Sequence, residues 1–285
     1  MDIKRVGIVG SGIMGSGIAE VAAKAGFEVT LRSRSDEGAQ SMVAGLEKSL
    51  AKQVDKGRLD DGERTTVQGR VRAVTALSEL AECDLVLESI VEELAPKTEL
   101  FGELDGICGD GAILATNTST LSVKAVAAAT NRPAQVCGIH FFNPATAMPL
   151  VELVRADHTS DETLAAARAF AEACGKTVVD VRDQAGFVVN ALLFPYLNNA
   201  VKLLEAGVAN RDDIDAAMKG GCNFPMGPLE LLDLVGLDTS LAIIEALHAE
   251  FKDPNYEPAP MLAGLVQDGK LGRKTGAGFY DYSKK

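Results

Sequence analysis

The residue types and spacing best suited to proton transfer lie in the middle of the sequence. His140 stands in Gly138-Ile-His-Phe-Phe-Asn-Pro144, where an apolar strand is predicted to end next to a turn. An imidazole packs poorly in such a place but exchanges protons readily near neutral pH. Glu152 interrupts the apolar run Pro149-Leu-Val-Glu-Leu-Val154. It either lies beside His140 on a neighbouring strand, where a carboxylate would orient the ring and raise its basicity, or faces outward from a half-exposed strand.

Hydroxyl and amide side chains supply two more candidates. Thr116-Asn-Thr-Ser-Thr120 follows an apolar strand, and ligands in parallel sheets collect beyond the carboxyl ends of the strands. Ser119 in this segment either binds a substrate oxygen or caps the next helix. Asn190 lies in an apolar predicted helix and needs a hydrogen-bond partner, which is either local or a ligand. The other histidines, His158 and His248, are predicted to be structural.

A glycine-rich segment near the start predicts a dinucleotide site. Gly10-Ser-Gly12-Ile-Met-Gly15 follows an apolar strand and opens a helix at the beginning of a strand–helix–strand unit. Gly10 would permit the tight turn, Gly12 would let backbone amides approach a pyrophosphate, and Gly15 would let the helix pack closely on the strand. A structural turn without a ligand is the alternative interpretation.

The residues after the second predicted strand bear on the choice of dinucleotide. An acidic residue about 20 positions after the first glycine normally binds the ribose 2′-hydroxyl. Here the sequence reads Leu31-Arg-Ser-Arg-Ser35, and the nearest acid is Asp36. Arg32, Ser33 and Arg34 would favour a 2′-phosphate, which predicts NADP(H) as the cofactor. The alternative is two solvated arginines beside an NAD site.

The elements that must position these residues alternate between two periodicities. Short β-rich runs are predicted at residues 6–9, 28–31, 84–88, 112–115, 136–141, 150–154 and 177–181. Helical spacing separates them at residues 13–25, 40–56, 97–107 and 161–174. Alternation of this kind predicts an α/β fold with a Rossmann-type, doubly wound and mostly parallel sheet.

The strand pattern stops after residue 183, and only helices are predicted at residues 187–205, 211–219 and 228–251. We therefore predict a dinucleotide-binding domain at residues 1–183 and a smaller all-helical domain at residues 184–285, where a length of 285 residues suits two domains.

Composition excludes several classes of function. Basic residues number 28 and acidic residues 40, a net charge of −12, and aromatic residues are only 5%. Non-specific nucleic-acid binding needs a basic face or stacking platforms, so it is excluded. The five cysteines form no Cys-x-x-Cys pair, which argues against a disulfide framework or a thiolate zinc site.

Glycines interrupt the apolar N-terminal run, so neither a signal peptide nor a membrane span is predicted. A reducing compartment and a cytoplasmic location are expected.

Motifs along the whole chain resemble those of the short-chain L-3-hydroxyacyl-CoA dehydrogenase family, in particular its bacterial 3-hydroxybutyryl-CoA dehydrogenases. The resemblance is carried by the glycine loop, Asn117-Thr-Ser119, His140-Phe-Phe-Asn-Pro144, Gly186-Phe-Val-Val-Asn190, Pro225-Met-Gly-Pro228, Asp233-Leu-Val-Gly-Leu-Asp238 and Lys274-Thr-Gly-Ala-Gly-Phe-Tyr280. It implies interconversion of (S)-3-hydroxybutyryl-CoA and acetoacetyl-CoA with a nicotinamide cofactor, and a homodimer formed through the helical domain.

The resemblance also assigns roles to residues. It implies that His140 and Glu152 form a catalytic dyad, with Ser119 and Asn190 around the substrate oxygen. Cofactor contacts are implied at Gly10, Gly12, Ile13, Met14, Gly15, Glu92, Lys97 and Asn117. Contacts with the acyl-CoA are implied at Ser49, Lys52, Lys56, Ser119 and Asn143. Lys48, Lys52 and Lys56 recur every four residues and so share one helix face, although we expect Lys48 to be solvated.

Several alternatives stay open. A longer-chain 3-hydroxyacyl-CoA or a non-CoA hydroxy acid would use the same dyad, and a relative of this fold is a non-catalytic lens protein that binds dinucleotide. The chain also resembles part of multifunctional fatty-acid oxidation proteins, although a start one strand before the glycine loop favours a free-standing enzyme.

Two departures from the family are the missing acidic ribose contact and Ala191, where many relatives carry arginine.

Overall fold

The computed structural model describes residues 2–283 and divides into two compact units, the first ending at Gln184 and the second beginning at Ala185. The division lies one residue beyond the predicted boundary. The strands of the first unit are β1 (Arg5–Val9), β2 (Glu28–Arg32), β3 (Val71–Val74), β4 (Leu85–Glu88), β5 (Ile113–Thr116), β6 (Val136–Phe141), β7 (Leu150–Arg155) and β8 (Thr177–Arg182).

The helices of the first unit lie between these strands, and those of the second follow one another without strands. The first unit contains α1 (Ile13–Lys24), α2 (Asp36–Asp55), α3 (Asp61–Gly69), α4 (Leu94–Ile107), α5 (Val123–Ala127) and α6 (Asp161–Ala173). The second contains α7 (Val189–Glu205), α8 (Arg211–Cys222), α9 (Pro228–Val235), α10 (Leu237–Phe251) and α11 (Pro260–Gln267). Short 3₁₀ turns occupy Leu77–Leu80, Pro133–Gln135, Pro254–Tyr256 and Arg273–Thr275.

The strands form one eight-stranded sheet in the order β3-β2-β1-β4-β5-β6-β7-β8. All neighbouring pairs are parallel except β6 and β7, which run antiparallel. The central strands β4, β5 and β6 are buried along their whole length, as expected where helices cover both faces of a sheet. The predicted α/β class, with a mostly parallel sheet followed by a helical domain, is confirmed.

Two elements between β2 and β4 are absent from the prediction. Strand β3 is a four-residue strand at the edge of the sheet, where it pairs with β2 alone. None of its residues is fully buried, and its sequence, Val-Arg-Ala-Val, lacks a continuous apolar run. Helix α3 is mainly polar, and its clearest sequence signal is the capping box in which Asp60 and Glu63 each accept a hydrogen bond from the backbone N–H of the other. Elements this short and this weakly apolar show too little hydrophobic periodicity to be predicted from the sequence.

The second unit has its own apolar core, which includes Phe194, Leu197, Leu232 and Leu247. The prediction of a single helix over residues 228–251 is wrong, because the chain breaks at Gly236, whose φ is +105°. A positive φ of this kind strains any residue with a Cβ.

Two buried carboxylates contact the C-terminal segment of the second unit. Asp233 accepts hydrogen bonds from the N–H groups of Phe279 and Tyr280 at 2.9 and 2.8 Å. Asp215 accepts from the Tyr280 hydroxyl at 2.7 Å and from the N–H of Leu229 at 2.8 Å, in the first turn of α9. Motifs noted in the sequence around residues 225–238 and 274–280 are thus joined within one structural unit.

Within residues 2–283, no helix is both long enough and apolar enough to cross a membrane.

Candidate active site

The glycine loop joins the carboxyl end of β1 to the N-terminus of α1. Gly10 has a φ of +129°, and a Cβ on it would lie 2.2 Å from the carbonyl oxygen of Ser89, which follows β4. A Cβ on Gly15 would lie 2.0 Å from the carbonyl oxygen of Gly10. Both positions therefore need glycine for the protein's own packing, because a Cβ at either would overlap backbone atoms.

Gly12 is different from its two neighbours in the motif. Its φ is −76°, and a Cβ on it would meet nothing within 4 Å among residues 2–283, its two chain neighbours aside. Bare backbone is thus presented beside the first turn of α1, whose N–H groups lack partners within the helix and favour an anion. Ile13 and Met14 form that first turn, and the Ile13 side chain is largely exposed. This arrangement fits the pyrophosphate of a dinucleotide.

The residues at the end of β2 and just after it differ in exposure. Some of their polar groups bond to the protein, and others face solvent. Nε of Arg32 donates to the carbonyl oxygen of Thr75 at 3.0 Å, and Ser33 is buried. The Ser35 hydroxyl accepts from the N–H of Gly38 at 3.1 Å and so caps α2. Arg34 is exposed. Of the residues predicted to bind a 2′-phosphate, Arg34 therefore has its side chain in solvent, whereas Arg32 and Ser33 are partly or wholly enclosed.

His140 and Glu152 are brought together by the antiparallel pairing of β6 and β7. The two residues are direct register partners in the ladder. Nδ1 of His140 lies 2.7 Å from Oε2 of Glu152, and their exposed side-chain fractions are 7% and 0%. The His140 ring also packs against Phe142, with centroids 4.5 Å apart. Because an ionised carboxylate can only accept, Nδ1–H donates to it, and proton exchange with another molecule would use Nε2.

Ser119 lies in the loop after β5, and Glu92 accepts hydrogen bonds from three consecutive residues of this loop. One oxygen of Glu92, Oε1, accepts from the Thr118 hydroxyl at 2.6 Å, from the Ser119 N–H at 2.7 Å and from the Ser119 hydroxyl at 3.1 Å. It also accepts from the N–H of Thr120 at 3.1 Å. Burial would raise the pKa of Glu92, but the Lys97 ammonium and these donors outweigh it, so that the pKa is lowered.

Lys97 is enclosed by its own chain. Its Nζ donates to Oε1 of Glu88 at 2.6 Å and lies 3.3 Å from Oε2 of Glu92. The side chains of Lys97 and Glu88 are 1% and 0% exposed. The other oxygen of Glu88 accepts from the Thr116 hydroxyl at 2.7 Å. Glu88 and Thr116 were not predicted as site residues. Glu88 ends an apolar strand, whereas Glu152 was singled out because it interrupts an apolar run.

The three predicted asparagines have different surroundings. Asn117 follows β5, and its Oδ1 accepts from the N–H of Phe141 at 2.8 Å, which ties this loop to the end of β6. Asn143 is exposed and precedes Pro144 through a cis peptide bond. Asn190 is buried near the start of α7 and belongs to the second unit.

Three of the predicted acyl-CoA contacts, Ser49, Lys52 and Lys56, lie on α2 or just past its end. The Ser49 hydroxyl donates to Oε2 of the buried Glu20 at 2.6 Å, so it links α2 to α1. Lys48, Lys52 and Lys56 are exposed, and Lys56 lies just past the last residue of the helix. The lysine side chains are therefore placed in solvent, as a phosphate contact requires.

No group of three or more His, Cys, Asp or Glu side chains in residues 2–283 is arranged to hold a metal ion.

Two family models match the chain and together span nearly all of it. The 3-hydroxyacyl-CoA dehydrogenase NAD binding domain matches residues 5–184, and the 3-hydroxyacyl-CoA dehydrogenase C-terminal domain matches residues 186–282.

Relatives are similar over their full length. The probable 3-hydroxybutyryl-CoA dehydrogenase of Bacillus subtilis is 46% identical over 285 residues, covering 100% of this chain and 99% of that protein. The 3-hydroxybutyryl-CoA dehydrogenase of Mycobacterium tuberculosis is 47% identical over 286 residues, covering 98% and 99%. The solved structure of (S)-3-hydroxybutyryl-CoA dehydrogenase from Ralstonia eutropha matches with a TM-score of 0.96 and 43% identity, covering 99% of this chain and 100% of that one. This chain therefore belongs to the 3-hydroxyacyl-CoA dehydrogenase family.

Proposed function

We propose that this protein interconverts (S)-3-hydroxybutyryl-CoA and acetoacetyl-CoA, with His140 as general acid and base. The observation that carries the proposal is the 2.7 Å contact between Nδ1 of His140 and Oε2 of Glu152 at the carboxyl end of β6. Membership of the 3-hydroxyacyl-CoA dehydrogenase family and the names of the full-length bacterial relatives support the substrate.

A bound nicotinamide supplies the acceptor or donor of a hydride at carbon 3 of the acyl chain. In the oxidative direction Nε2 of His140 takes the proton of the 3-hydroxyl group, and in the reductive direction the protonated ring returns it to the same oxygen. Glu152 holds the ring through Nδ1 and stabilises the imidazolium that forms. Both roles need the carboxylate close to the ring, as the register of β6 and β7 places it.

Ser119 and Asn190 are the groups that we assign to the substrate oxygen. Hydrogen bonds from a hydroxyl and an amide share the charge that develops on this oxygen and contribute about 3 kcal/mol per donor in comparable sites. The Ser119 assignment draws on its position after β5, and the Asn190 assignment on the family motif and on its burial.

We infer that the cofactor site accepts NADP(H), with Arg34 as the contact to the 2′-phosphate. The segment after β2 lacks an acidic ribose contact, the Arg34 side chain is exposed, and Ser35 caps a helix N-terminus that favours anions. Asp36 and Glu37 in the first turn of α2 oppose this preference, so NADH is the competing cofactor.

Contacts to the CoA phosphates are proposed for two exposed residues, Lys52 on α2 and Lys56 just past its last residue, and Ser49 is proposed as a neighbouring contact. We also propose a homodimer formed by the second unit, which exposes the large apolar side chains of Leu192 and Val208. Sedimentation equilibrium tests the dimer: a molar mass of one chain at micromolar concentration would exclude it.

The experiment that tests the proposed function measures oxidation of NADH and of NADPH in the presence of acetoacetyl-CoA, in one buffer. Turnover that depends on acetoacetyl-CoA is expected, with kcat/KM higher for NADPH. A hundredfold preference for NADH would keep the reaction and exclude the role of Arg34. Turnover only with longer 3-oxoacyl-CoA substrates would exclude the four-carbon substrate, and no turnover with any of them would exclude the enzyme.

A further inference from the structure

A buried carboxylate joins the first two helices of the first unit. Glu20 on α1 is only 4% exposed, and both of its oxygens accept hydrogen bonds from α2. Oε2 accepts from the Ser49 hydroxyl at 2.6 Å, and Oε1 accepts from Nε2 of Gln53 at 2.7 Å. A buried carboxylate needs such donors, because leaving water without them costs a charged group a large free energy. Glu20 therefore fixes one face of α2 against α1.

Gln53 connects this carboxylate to a lysine at the end of α1. The carboxylate of Glu20 can only accept and an ammonium can only donate, so the Gln53 amide has one orientation that satisfies both. Its Nε2 donates to Glu20, and its Oε1 accepts from Nζ of Lys24 at 2.7 Å. Lys24 is exposed and is the last residue of α1. An ammonium held by a neutral amide keeps its charge and has further N–H groups free for another acceptor.

Lys24 lies beside the face of α2 that carries the proposed acyl-CoA contacts. Gln53 follows Ser49 by four residues and precedes Lys56 by three, so these side chains are neighbours on one face. Lys52 is three residues beyond Ser49 and shares that face. Because the ammonium of Lys24 rests on Gln53, it lies about one helical turn along α2 from each of the proposed contacts.

We propose that Lys24 is a third cationic contact for the phosphate groups of the acyl-CoA, beside Lys52 and Lys56. The inference rests on the proposed function, in which those two lysines bind the same phosphates, and the family resemblance implies no role for Lys24. Within residues 2–283 none of the three lysines is in an ion pair, so the protein does not neutralise their charges. The chain has a net charge of −12, which repels a polyanionic substrate, and a local group of ammonium ions offsets that repulsion where the phosphates bind.

Substrates with and without phosphates test the role of Lys24. Acetoacetyl-CoA carries the phosphates, whereas the acetoacetyl thioester of N-acetylcysteamine keeps the reacting groups and has no phosphate. Lys24→Met is expected to lower kcat/KM for acetoacetyl-CoA about tenfold, through KM and with kcat unchanged, as for loss of one charge-assisted hydrogen bond. For the N-acetylcysteamine thioester the same change should lower kcat/KM less than about twofold. Lys24→Arg keeps the charge and should retain most of the kcat/KM for acetoacetyl-CoA.

Lys48→Met is the matched control, because it removes the same charge from another side of the same helix. Lys48 is exposed and precedes Gln53 by five residues, which places it about 140° around α2 from the residue that holds Lys24. Its kcat/KM for acetoacetyl-CoA should stay within about twofold of that of the unaltered protein, because distant exposed charges are screened. Isothermal titration with coenzyme A repeats the comparison without turnover, and its Kd should rise about tenfold in Lys24→Met but not in Lys48→Met.

Two results would overturn this role of Lys24 and leave the enzyme in place. In Lys24→Met, an unaltered kcat/KM for acetoacetyl-CoA with an unaltered Kd for coenzyme A would mean that the phosphates bind elsewhere. Equal losses of kcat/KM with both thioesters would mean that Lys24 supports the structure of the first unit rather than the phosphates. Absence of acetoacetyl-CoA turnover in the unaltered protein would instead refute the proposed function, whereas the titration with coenzyme A would still decide the contact.

Discussion

At the scale of single residues, the chemistry proposed here depends on one contact between strands. His140 and Glu152 are twelve positions apart in the sequence and become direct partners because β6 and β7 are antiparallel. A slip of one residue in this register would turn Glu152 to the other face of the sheet. The register of β6 and β7 therefore fixes the contact between the two side chains of the proposed dyad.

Glu152→Gln tests the role of the carboxylate. The amide keeps the shape but cannot stabilise an imidazolium, and its NH₂ group can donate to Nδ1 and so favour the wrong tautomer. We expect kcat to fall by about 10²–10⁴ with acetoacetyl-CoA, while the KM for the acyl-CoA changes little. Asp105→Asn is the control, because this carboxylate pairs with Arg132 outside the site and its loss should leave kcat unaltered. A kcat for Glu152→Gln within threefold of the original value would remove Glu152 from the mechanism.

Residue type and spacing identified His140 and Glu152 as candidates, but not the contact between them. A carboxylate that interrupts an apolar run marks a buried or outward-facing position, and only the strand pairing decides which. The same ambiguity concealed Glu88, which ends β4 and pairs with Lys97 nine positions later in α4. Partners brought together by tertiary packing leave no periodic signal in the sequence.

At the scale of elements, the loop between β1 and α1 uses glycine for two different reasons, close packing of the protein and the proposed approach of a ligand. Gly10 and Gly15 are needed because a Cβ would overlap backbone atoms, whereas the protein's own packing within residues 2–283 sets no such condition at Gly12. The sequence predicted the tight turn at Gly10 and close packing at Gly15, and the overlaps that a Cβ would make at these two positions agree with those roles. The approach of a ligand to Gly12 stays a prediction.

Gly12→Ala and Gly15→Ala should therefore separate binding from stability. Gly12→Ala is expected to leave Tm within about 2 °C and to raise the KM for NADH or NADPH at least about tenfold, because its methyl group would occupy the approach of the pyrophosphate. Gly15→Ala should lower Tm by several degrees, since its Cβ would lie 2.0 Å from a carbonyl oxygen. A Gly12→Ala protein with unaltered KM for both dinucleotides would place the cofactor elsewhere.

The join between β1 and β4 carries a pH-dependent contribution to stability. Oδ2 of Asp84 accepts from the N–H groups of Lys4 and Arg5, and Oδ1 accepts from the Arg5 guanidinium. Burial would raise the pKa of Asp84, but these donors outweigh it and the pKa is lowered. A lowered folded-state pKa stabilises the protein above the unfolded value of about 3.9 and ceases to do so as pH falls through the folded value.

Asp84→Asn should consequently lower Tm by about 3 °C at pH 7, and the difference from the unaltered protein should shrink as pH falls from about 5 toward 3. Thermal unfolding followed by circular dichroism measures both. Glu82→Gln is the control, because Glu82 pairs with the same Arg5 at 3.0 Å but is 84% exposed and should contribute almost nothing. A Tm difference for Asp84→Asn that is constant with pH would contradict the assignment.

At the scale of the whole molecule, the change from alternating strands and helices to helices alone marks the division into two units. That change was visible in the sequence because long elements have clear periodicity, whereas the break of α9 from α10 at Gly236 was not. Motifs of the second unit that carry the family resemblance include Asp233, whose carboxylate accepts from the backbone of Phe279 and Tyr280. These motif residues thus have structural contacts of their own.

The central claim is that His140 is the acid and base of a 3-hydroxyacyl-CoA dehydrogenase, and His140→Ala tests it most directly. The measurement compares kcat for acetoacetyl-CoA reduction in the variant and the unaltered protein, with dinucleotide binding followed by fluorescence titration as the control for an intact first unit. We predict that kcat falls by at least about 10²-fold while the Kd for the dinucleotide stays within about threefold. A His140→Ala protein with near-normal kcat would contradict the account.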